Sequence, residues 1–488
     1  MLEQIIKELE PKILWQRFYE ITRIPRPSKK EGKILEYIKI LCIQSNVSFK
    51  QDKIGNIVIT IPPVKGYDNC PKVVLQCHVD MVCEKNKSVK HDFDNDPIEL
   101  KLIDGWLTAD GTTLGSDNGI GVAAALSLIS DKEVIHGPIE ILLTIDEETG
   151  LTGADNLVPG FISGKILLNL DSEEDGTFYI GCAGGIDTVS NIQVEFEKSS
   201  SNRKAFEVMV MGLKGGHSGS EINTGRANAI KLLARTLEEL DGIDYRLAAI
   251  SGGSKRNAIP REAEAIILLD PLSIQKAERI IKEFEQKLQI EYKIADGGVK
   301  IEFKPSFTLS EYIFSNSFTE KIINILLAIP HGVIAMSQDI EGLVETSTNL
   351  ATVIFENKQL IIGTSQRSSI ESAKKYIADS VSSIFKLAGA KVENTDGYPG
   401  WKPNLDSDIL KLTEKVYIKL FGHKPEIKAI HAGLECGILG KRNPGLDMIS
   451  FGPTITGAHS PDEMVNIESV IKFYELLKGI LTEIAVQK

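Results

Sequence analysis

The side chains of this sequence best able to do chemistry fall in a few short strings. They are His78-Val79-Asp80, Gly115-Ser116-Asp117-Asn118-Gly119, Asp146-Glu147-Glu148-Thr149-Gly150, Asn169-Leu170-Asp171 and His459-Ser460-Pro461-Asp462-Glu463. Two histidines and several carboxylates, with no cysteine cluster, suit a borderline-hard divalent ion such as zinc, which takes imidazole nitrogen and carboxylate oxygen and leaves room for water. Two such ions about 3.5–4 Å apart, bridged by one carboxylate, form a hydrolytic centre. The pair Glu147-Glu148 fits that chemistry. Consecutive residues at a strand end point to opposite sides, so one can hold metal while the other stays free as a general base. Each string also has an ordinary reading. Asp117 alone is a helix N-cap, the glutamate pair alone is a solvated acidic turn, and a single loop histidine such as His459 is a solvated side chain.

Their placement changes the weighting. The run 72–77 leads into His78, 139–145 into Asp146, and 165–170 into Asp171. Each run is too short for a typical helix and too apolar for a half-exposed strand, so each reads as a buried strand of an α/β sheet. Ligands of open α/β sheets bind outside the carboxyl ends of the strands. Three neighbouring strands would therefore aim one histidine and several carboxylates at one cleft. Helical patterns at 30–45 and 119–130 alternate with these runs.

The texture changes near Asn191. Candidate strands at 205–213, 262–269, 299–303, 351–355 and 359–363 mix with candidate helices at 227–240, 273–288, 318–327 and 369–387, which read as two successive α+β units. Glu356-Asn357-Lys358 is a hairpin signal. A Gly/Pro-bearing connector at 396–403 precedes a return of the α/β texture, with a helix at 406–420, a strand at 447–451 and a helix from Ile467. The expected fold class is α/β: a catalytic domain with a mixed sheet flanked by helices, in two parts at 1–190 and 395–488, interrupted by a large α+β domain at 191–394.

Composition narrows the function. The 488 residues are 42% hydrophobic and 25% charged, an ordinary globular balance, and allow roughly three domains or two large ones. The net charge of −12 argues against a general nucleic-acid binder, which needs basic surface. No apolar run reaches the roughly 18 residues of a membrane-spanning helix. The first residues are charged and helix-periodic, without the apolar core of a signal peptide. Cys42, Cys70, Cys77, Cys83, Cys182 and Cys436 match no zinc-finger spacing, and the expectation is reduced thiols in a cytoplasmic protein.

Three further strings join the first set: Gly215-Gly216-His217-Ser218-Gly219, Arg256-Asn257-Ala258-Ile259-Pro260 and His431-Ala432-Gly433-Leu434-Glu435-Cys436. In this order, from residue 78 to 463, the sequence resembles the di-zinc metallopeptidases that include aminoacylase, glutamate carboxypeptidase and bacterial dipeptidases, and within them the dipeptidases. The likeness covers essentially the whole chain and is highly specific. It implies that His78 and Asp171 hold one zinc, Glu148 and His459 the other, and that Asp117 bridges both. Cobalt or manganese can use the same ligands. It implies Glu147 as the general base and Asp80 as the carboxylate that accepts from the other ring nitrogen of His78. It also implies a cis peptide at Asp117–Asn118.

The resemblance makes the inserted domain a lid and so explains how ligands as distant as Asp171 and His459 share one site. In the lid, His217 would polarise the scissile carbonyl and stabilise the oxyanion. Asn257 and Arg367 would hold the substrate, the planar fork of arginine matching a dipeptide carboxylate. The competing reading of Arg367 is an exposed arginine at a strand end. His431 and Glu435 would contact substrate or support their loop. His91, His136, His331 and His423 match no metal string and read as structural or solvent-facing. The implied activity is hydrolysis of dipeptides with a free amino terminus, Xaa-His dipeptides such as β-alanyl-histidine among them, by a homodimer without nucleic-acid or membrane partners. The rivals are an N-acyl-amino-acid amidohydrolase or tripeptidase on the same scaffold and, in a different class, a silent peptide-binding or metal-storage protein.

Overall fold

The computed structural model describes Ile6 and residues 8–199, 202–307 and 312–487. The chain divides into two compact units. The first comprises Met1–Gly181, Pro403–Ala429 and Leu434–Lys488, and the second Cys182–Lys402 with Ile430–Gly433.

The first unit is built on an eight-stranded mixed sheet. Its order is Ser48–Gln51, Ile57–Ile61, Ile139–Thr144, Val73–His78, Ile166–Asn169, Asp447–Ser450, Thr177–Cys182 and Glu426–Ile430. The four strands Ile139–Thr144, Val73–His78, Ile166–Asn169 and Asp447–Ser450 run parallel. Every residue of Val73–His78 and Ile139–Thr144 is buried. That is why both read as continuous apolar runs rather than alternating ones. The four expected strands of this sheet, at 72–77, 139–145, 165–170 and 447–451, lie within one residue of their expected ends. Helix Ser116–Ser127 includes Asp117 and Asn118, whose backbone is not helical, so its regular part begins at Gly119, where the apolar pattern starts. It packs on Lys12–Thr22, and Asp408–Phe421 packs on Ile467–Val486. A second, four-stranded sheet joins Ile455–Thr456 and Met464–Asn466 to the hairpin Trp106–Ala109 and Leu100–Ile103. It therefore ties the loop of His459 to the segment that leads to Asp117.

The second unit carries a nine-stranded antiparallel sheet. Its path is Lys300–Pro305, Lys204–Met211, Ala263–Leu269, Tyr245–Gly252, Val344–Glu356, Gln359–Ser368, Gly184–Gln193 and Lys391–Asn394, with Gly332–Met336 paired to Val344–Glu356 off the path. The expected two successive α+β units are not separate. Their strands meet where Gly252 pairs with Val353, and one hydrophobic core takes residues from all four helices, among them Leu233, Phe284, Phe318 and Phe385. The second unit begins at Cys182, ahead of the expected 191, because Gly184–Gln193 pairs along its whole length with Gln359–Ser368. The hairpin at 356–359 forms, with Asn357 and Lys358 both at positive φ between the paired Glu356 and Gln359, the two-residue turn that suits twisted strands. Among the described residues no helix is long and apolar enough to cross a membrane.

Candidate active site

His78 is the last residue of its strand, Asp171 lies two residues past Ile166–Asn169, and Glu147 and Glu148 open a short helical turn after Ile139–Thr144. These strands are parallel neighbours, so their carboxyl ends share one sheet edge. Asp117 sits in the first turn of Ser116–Ser127 with an extended backbone, φ −79° and ψ 114°, and its peptide bond to Asn118 is cis, as the resemblance implies. Its carboxylate caps no helix. His78 Nε2 lies 3.1 Å from Asp117 Oδ1 and His459 Nε2 3.1 Å from Asp117 Oδ2. His78 Nε2 is also 3.3 Å from Asp171 Oδ1, and His459 Nε2 is 3.0 Å from Glu148 Oε2. Two groups of closely spaced donor atoms result, His78–Asp117–Asp171 and Asp117–Glu148–His459, with Asp117 common to both. Glu147 groups with His78 and Glu148.

This cluster holds more negative charge than its protein surroundings neutralise. Burial, together with Asp117 and Glu148, raises Asp171 to about 6. Burial also holds Glu147 well above the usual carboxylate range. Hydrogen bonds to Asp117 and Glu148 push His459 up to about 11. Burial works against the charged form of His78, yet Asp171 and Asp117 raise it. Protons held this firmly mark places where a cation is favoured. Glu148 Oε1 and Asp171 Oδ1 are buried without a hydrogen-bond partner, which protein interiors rarely tolerate. Imidazole nitrogens and carboxylates, one of them shared, are the donor chemistry of a paired divalent site. The residues present therefore fit the metal that the resemblance implies.

Around the donors stands a buried frame. Asp80 Oδ1 lies 3.4 Å from His78 Nδ1, and Asp80 accepts from Glu147 N at 3.1 Å, Glu148 N at 3.2 Å and Ser28 Oγ at 2.8 Å. Burial alone would raise Asp80, but His78 and Ser28 outweigh it and bring it down to about 2. Asp80 thus fixes the turn of Glu147 and Glu148 as well as facing His78. Glu435 lies beneath the strands, accepting from Gln76 Nε2 at 2.5 Å and Thr144 Oγ1 at 2.7 Å, and burial pushes it up to about 7.

Sequence reasoning left three residues without a role. Glu463 accepts from the backbone N–H groups of Leu114, Gly115, Ser116 and Asp117 at 2.7–3.2 Å and from Ser116 Oγ at 2.6 Å. Arg26, only 2% exposed, donates to the carbonyls of Val79 at 2.9 Å, Asp80 at 2.7 Å, and Gly115. Glu173, next but one to Asp171, is raised to about 8 by burial, Asp117 and Asp171. The string His459–Glu463 was a signal for Glu463; nothing in the spacing pointed to Arg26.

The second unit holds the remaining residues. His217 is half-buried on the strand Gly216–His217, and its Nδ1 accepts from Ser220 N at 3.1 Å. Burial and the charge of Arg367 lower its pKa. Asn257 is exposed, and its carbonyl accepts from Ser218 N at 2.9 Å. Arg367 is not the exposed strand-end arginine of the competing reading. It is 7% exposed, and its Nη1 donates to the Tyr398 hydroxyl at 2.8 Å. His431 is buried with Nε2 2.7 Å from Ser347 Oγ, and burial and Arg367 depress it to about 3. The other histidines lie elsewhere. His136 contacts the Gly137 carbonyl, His331 faces Asn228, His91 packs on Phe93 and His423 meets Tyr417.

Residues 74–483 match the family described as peptidase family M20/M25/M40. The chain is 42% identical over 480 residues to the cytosol non-specific dipeptidase of Escherichia coli (strain K12), a match covering 98% of this chain and 99% of that one. In three dimensions it is similar to the aminoacylhistidine dipeptidase of Vibrio alginolyticus, with a TM-score of 0.90, 41% identity and 99% of each chain covered. A tripeptidase from Staphylococcus aureus shares the fold at 17% identity and a TM-score of 0.57, covering 98% of this chain and 100% of that one. With a family match across most of its length, and a donor cluster at the sheet edge within that stretch, the chain belongs to peptidase family M20/M25/M40.

Proposed function

We propose that this peptidase hydrolyses dipeptides with a free amino terminus, Xaa-His dipeptides such as β-alanyl-histidine among them, with two zinc ions, as a cytoplasmic homodimer. The observation that carries the reading is Asp117, whose two oxygens face His78 and His459, two histidines 381 residues apart in the chain. The dipeptide substrate is supported by the likeness to the cytosol non-specific dipeptidase at 42% identity and to the aminoacylhistidine dipeptidase at 41%. His78, Asp117 and Asp171 would hold one ion and Asp117, Glu148 and His459 the other. When bound, such a pair polarises a carbonyl and makes water acidic enough to attack near neutral pH.

The rest is the work of the chain. Glu147 takes the proton of the attacking water at its carboxylate and delivers it to the leaving amine. Its burial favours the protonated form, so a proton can rest there between the two transfers. Asp80 keeps Glu147 in place through the Glu147 amide. In the second unit the Ser220 amide donates to His217 Nδ1, so the neutral ring carries its proton on Nε2. That Nε2–H is the donor for the developing oxyanion. Arg367 binds the substrate carboxylate, and Asn257 and His431 hold the peptide, while Glu435 supports the strands from below.

The test is turnover of a panel by zinc-loaded protein, with a chelator-treated control. The panel holds β-alanyl-histidine, ordinary dipeptides, a tripeptide and an N-acetyl amino acid. Chelator-sensitive cleavage confined to unblocked dipeptides is expected. Cleavage of the N-acetyl compound alone would move the function to amidohydrolase.

A further inference from the structure

Arg367 poses a problem that its described neighbours do not solve. A buried guanidinium without a counter-ion is costly, yet no carboxylate pairs with it among the described residues, and its Nε is buried with no hydrogen-bond partner. It lines a cavity of about 200 Å³ together with Asp187, Arg256, Asn257, Ser365 and Tyr398. The two other charges there cancel, since Arg256 Nη1 lies 3.1 Å from Asp187 Oδ2. The cavity is left with one net positive charge. Its second unspent donor is the Tyr398 hydroxyl. That oxygen accepts from Arg367, and no described residue accepts its proton.

Tyr398 is held with unusual firmness for a loop residue. Its amide donates to the Gly185 carbonyl at 2.9 Å, and its own carbonyl accepts from Gly185 N at 3.1 Å and from buried Lys374 Nζ at 2.7 Å. Its ring lies against Gly185 and Gly433. A Cβ at either position would come within 2.6–2.8 Å of ring atoms, so both glycines are needed for the ring to fit. The result is a rigid pair of donors, one charged and one neutral, facing one small cavity.

We infer that the Tyr398 hydroxyl, beside Arg367, donates directly to the free C-terminal carboxylate of the substrate. Tyr398 thereby sets the preference for a free acid over an amide. A carboxylate offers acceptors only and satisfies both donors, whereas a carboxamide brings an N–H₂ that opposes one of them. The inference rests on the dipeptidase reading and adds to it a residue that sets specificity.

The test is Tyr398→Phe, which keeps the ring and its packing and removes only the hydroxyl. Kinetics with a dipeptide and with its C-terminal amide are compared. The same two ligands are titrated calorimetrically into metal-loaded Glu147→Gln and Glu147→Gln/Tyr398→Phe proteins. For the acid, Tyr398→Phe is expected to raise KM and Kd about tenfold with kcat within about twofold. For the amide, both are expected to stay within about twofold. An unchanged acid Kd, or equal losses for acid and amide, would overturn the assignment. If the unaltered protein cleaves no dipeptide, the dipeptidase reading falls, while the calorimetric contrast still decides whether Tyr398 reads the carboxylate.

Discussion

Removing the Glu463 carboxylate leaves the N–H groups of Leu114 to Asp117 without their acceptor. Buried unpaired donors cost roughly 1–3 kcal/mol each before relaxation. Glu463→Ala is therefore expected to lower stability by more than about 3 kcal/mol in denaturant unfolding. It should also weaken metal uptake, because the freed segment carries Asp117. Glu463→Gln should recover only part, since its amide N–H₂ faces the same donors. Glu147→Gln is the contrasting case. It should cut kcat by roughly 10²–10⁴-fold while two equivalents of zinc remain bound by elemental analysis; retained turnover would remove Glu147 as base. The histidine and acid strings were legible because their residue types are scarce and stand at the ends of apolar runs. Arg26 was not. Its three acceptors are backbone carbonyls, which any sequence supplies, so no pattern marks them.

At the scale of elements, legibility followed burial. Runs such as 139–144 announce themselves because both faces are buried and mostly apolar. Strand Val344–Glu356 was seen only from 351 onward, because its first half is polar. Thr346, Ser347, Thr348 and Asn349 are all buried, but their polarity is spent sideways, on Ser368, His431, Gln366 and the carbonyls of Arg256 and Ala258. A polar stretch inside a sheet reads as a loop until its partners are known. The start of helix Ala229–Glu238 shows a similar device. Asn228 accepts from Ile230 N and Lys231 N, and its Nδ2 donates to the Leu350 carbonyl and faces His331 Nδ1 at 3.3 Å. A protonated His331 would set a donor against a donor. Burial and Lys231 lower its pKa to about 4, below the ordinary value of about 6.5. Between these two values the unfolded chain binds the proton and the folded one does not, so stability falls as pH drops from 6.5 toward 4 and is insensitive above that window. The share of His331 is about 2 kcal/mol between pH 6.5 and 5, at about 1.4 kcal/mol per pH unit. It should vanish from the difference in unfolding free energy in His331→Gln.

On the scale of the whole molecule, the five donors His78, Asp117, Glu148, Asp171 and His459 all belong to the first unit. Bound metal stabilises only the state that binds it. Chelation is therefore expected to lower the calorimetric transition of the first unit while leaving that of the second within about 2 °C; a common shift of both would mean that the units unfold as one. The division of the chain was legible only as a change in texture near 191 and a return near 395. The strands that fix the observed limits pair across more than 160 residues, as Gly184 does with Ser368, and local patterns carry no record of such pairing.

Strand Ile166–Asn169 has Asp447–Ser450 as its parallel neighbour, and the segment between them includes the entire second unit. Ribosomes add about 5–20 residues per second. During synthesis the central strand thus waits some 15–60 s for its partner, with an apolar edge open to other chains. His459 emerges later still. The donor cluster is accordingly complete only after the whole second unit has been made, with strand Met464–Asn466 and helix Ile467–Val486 still to follow.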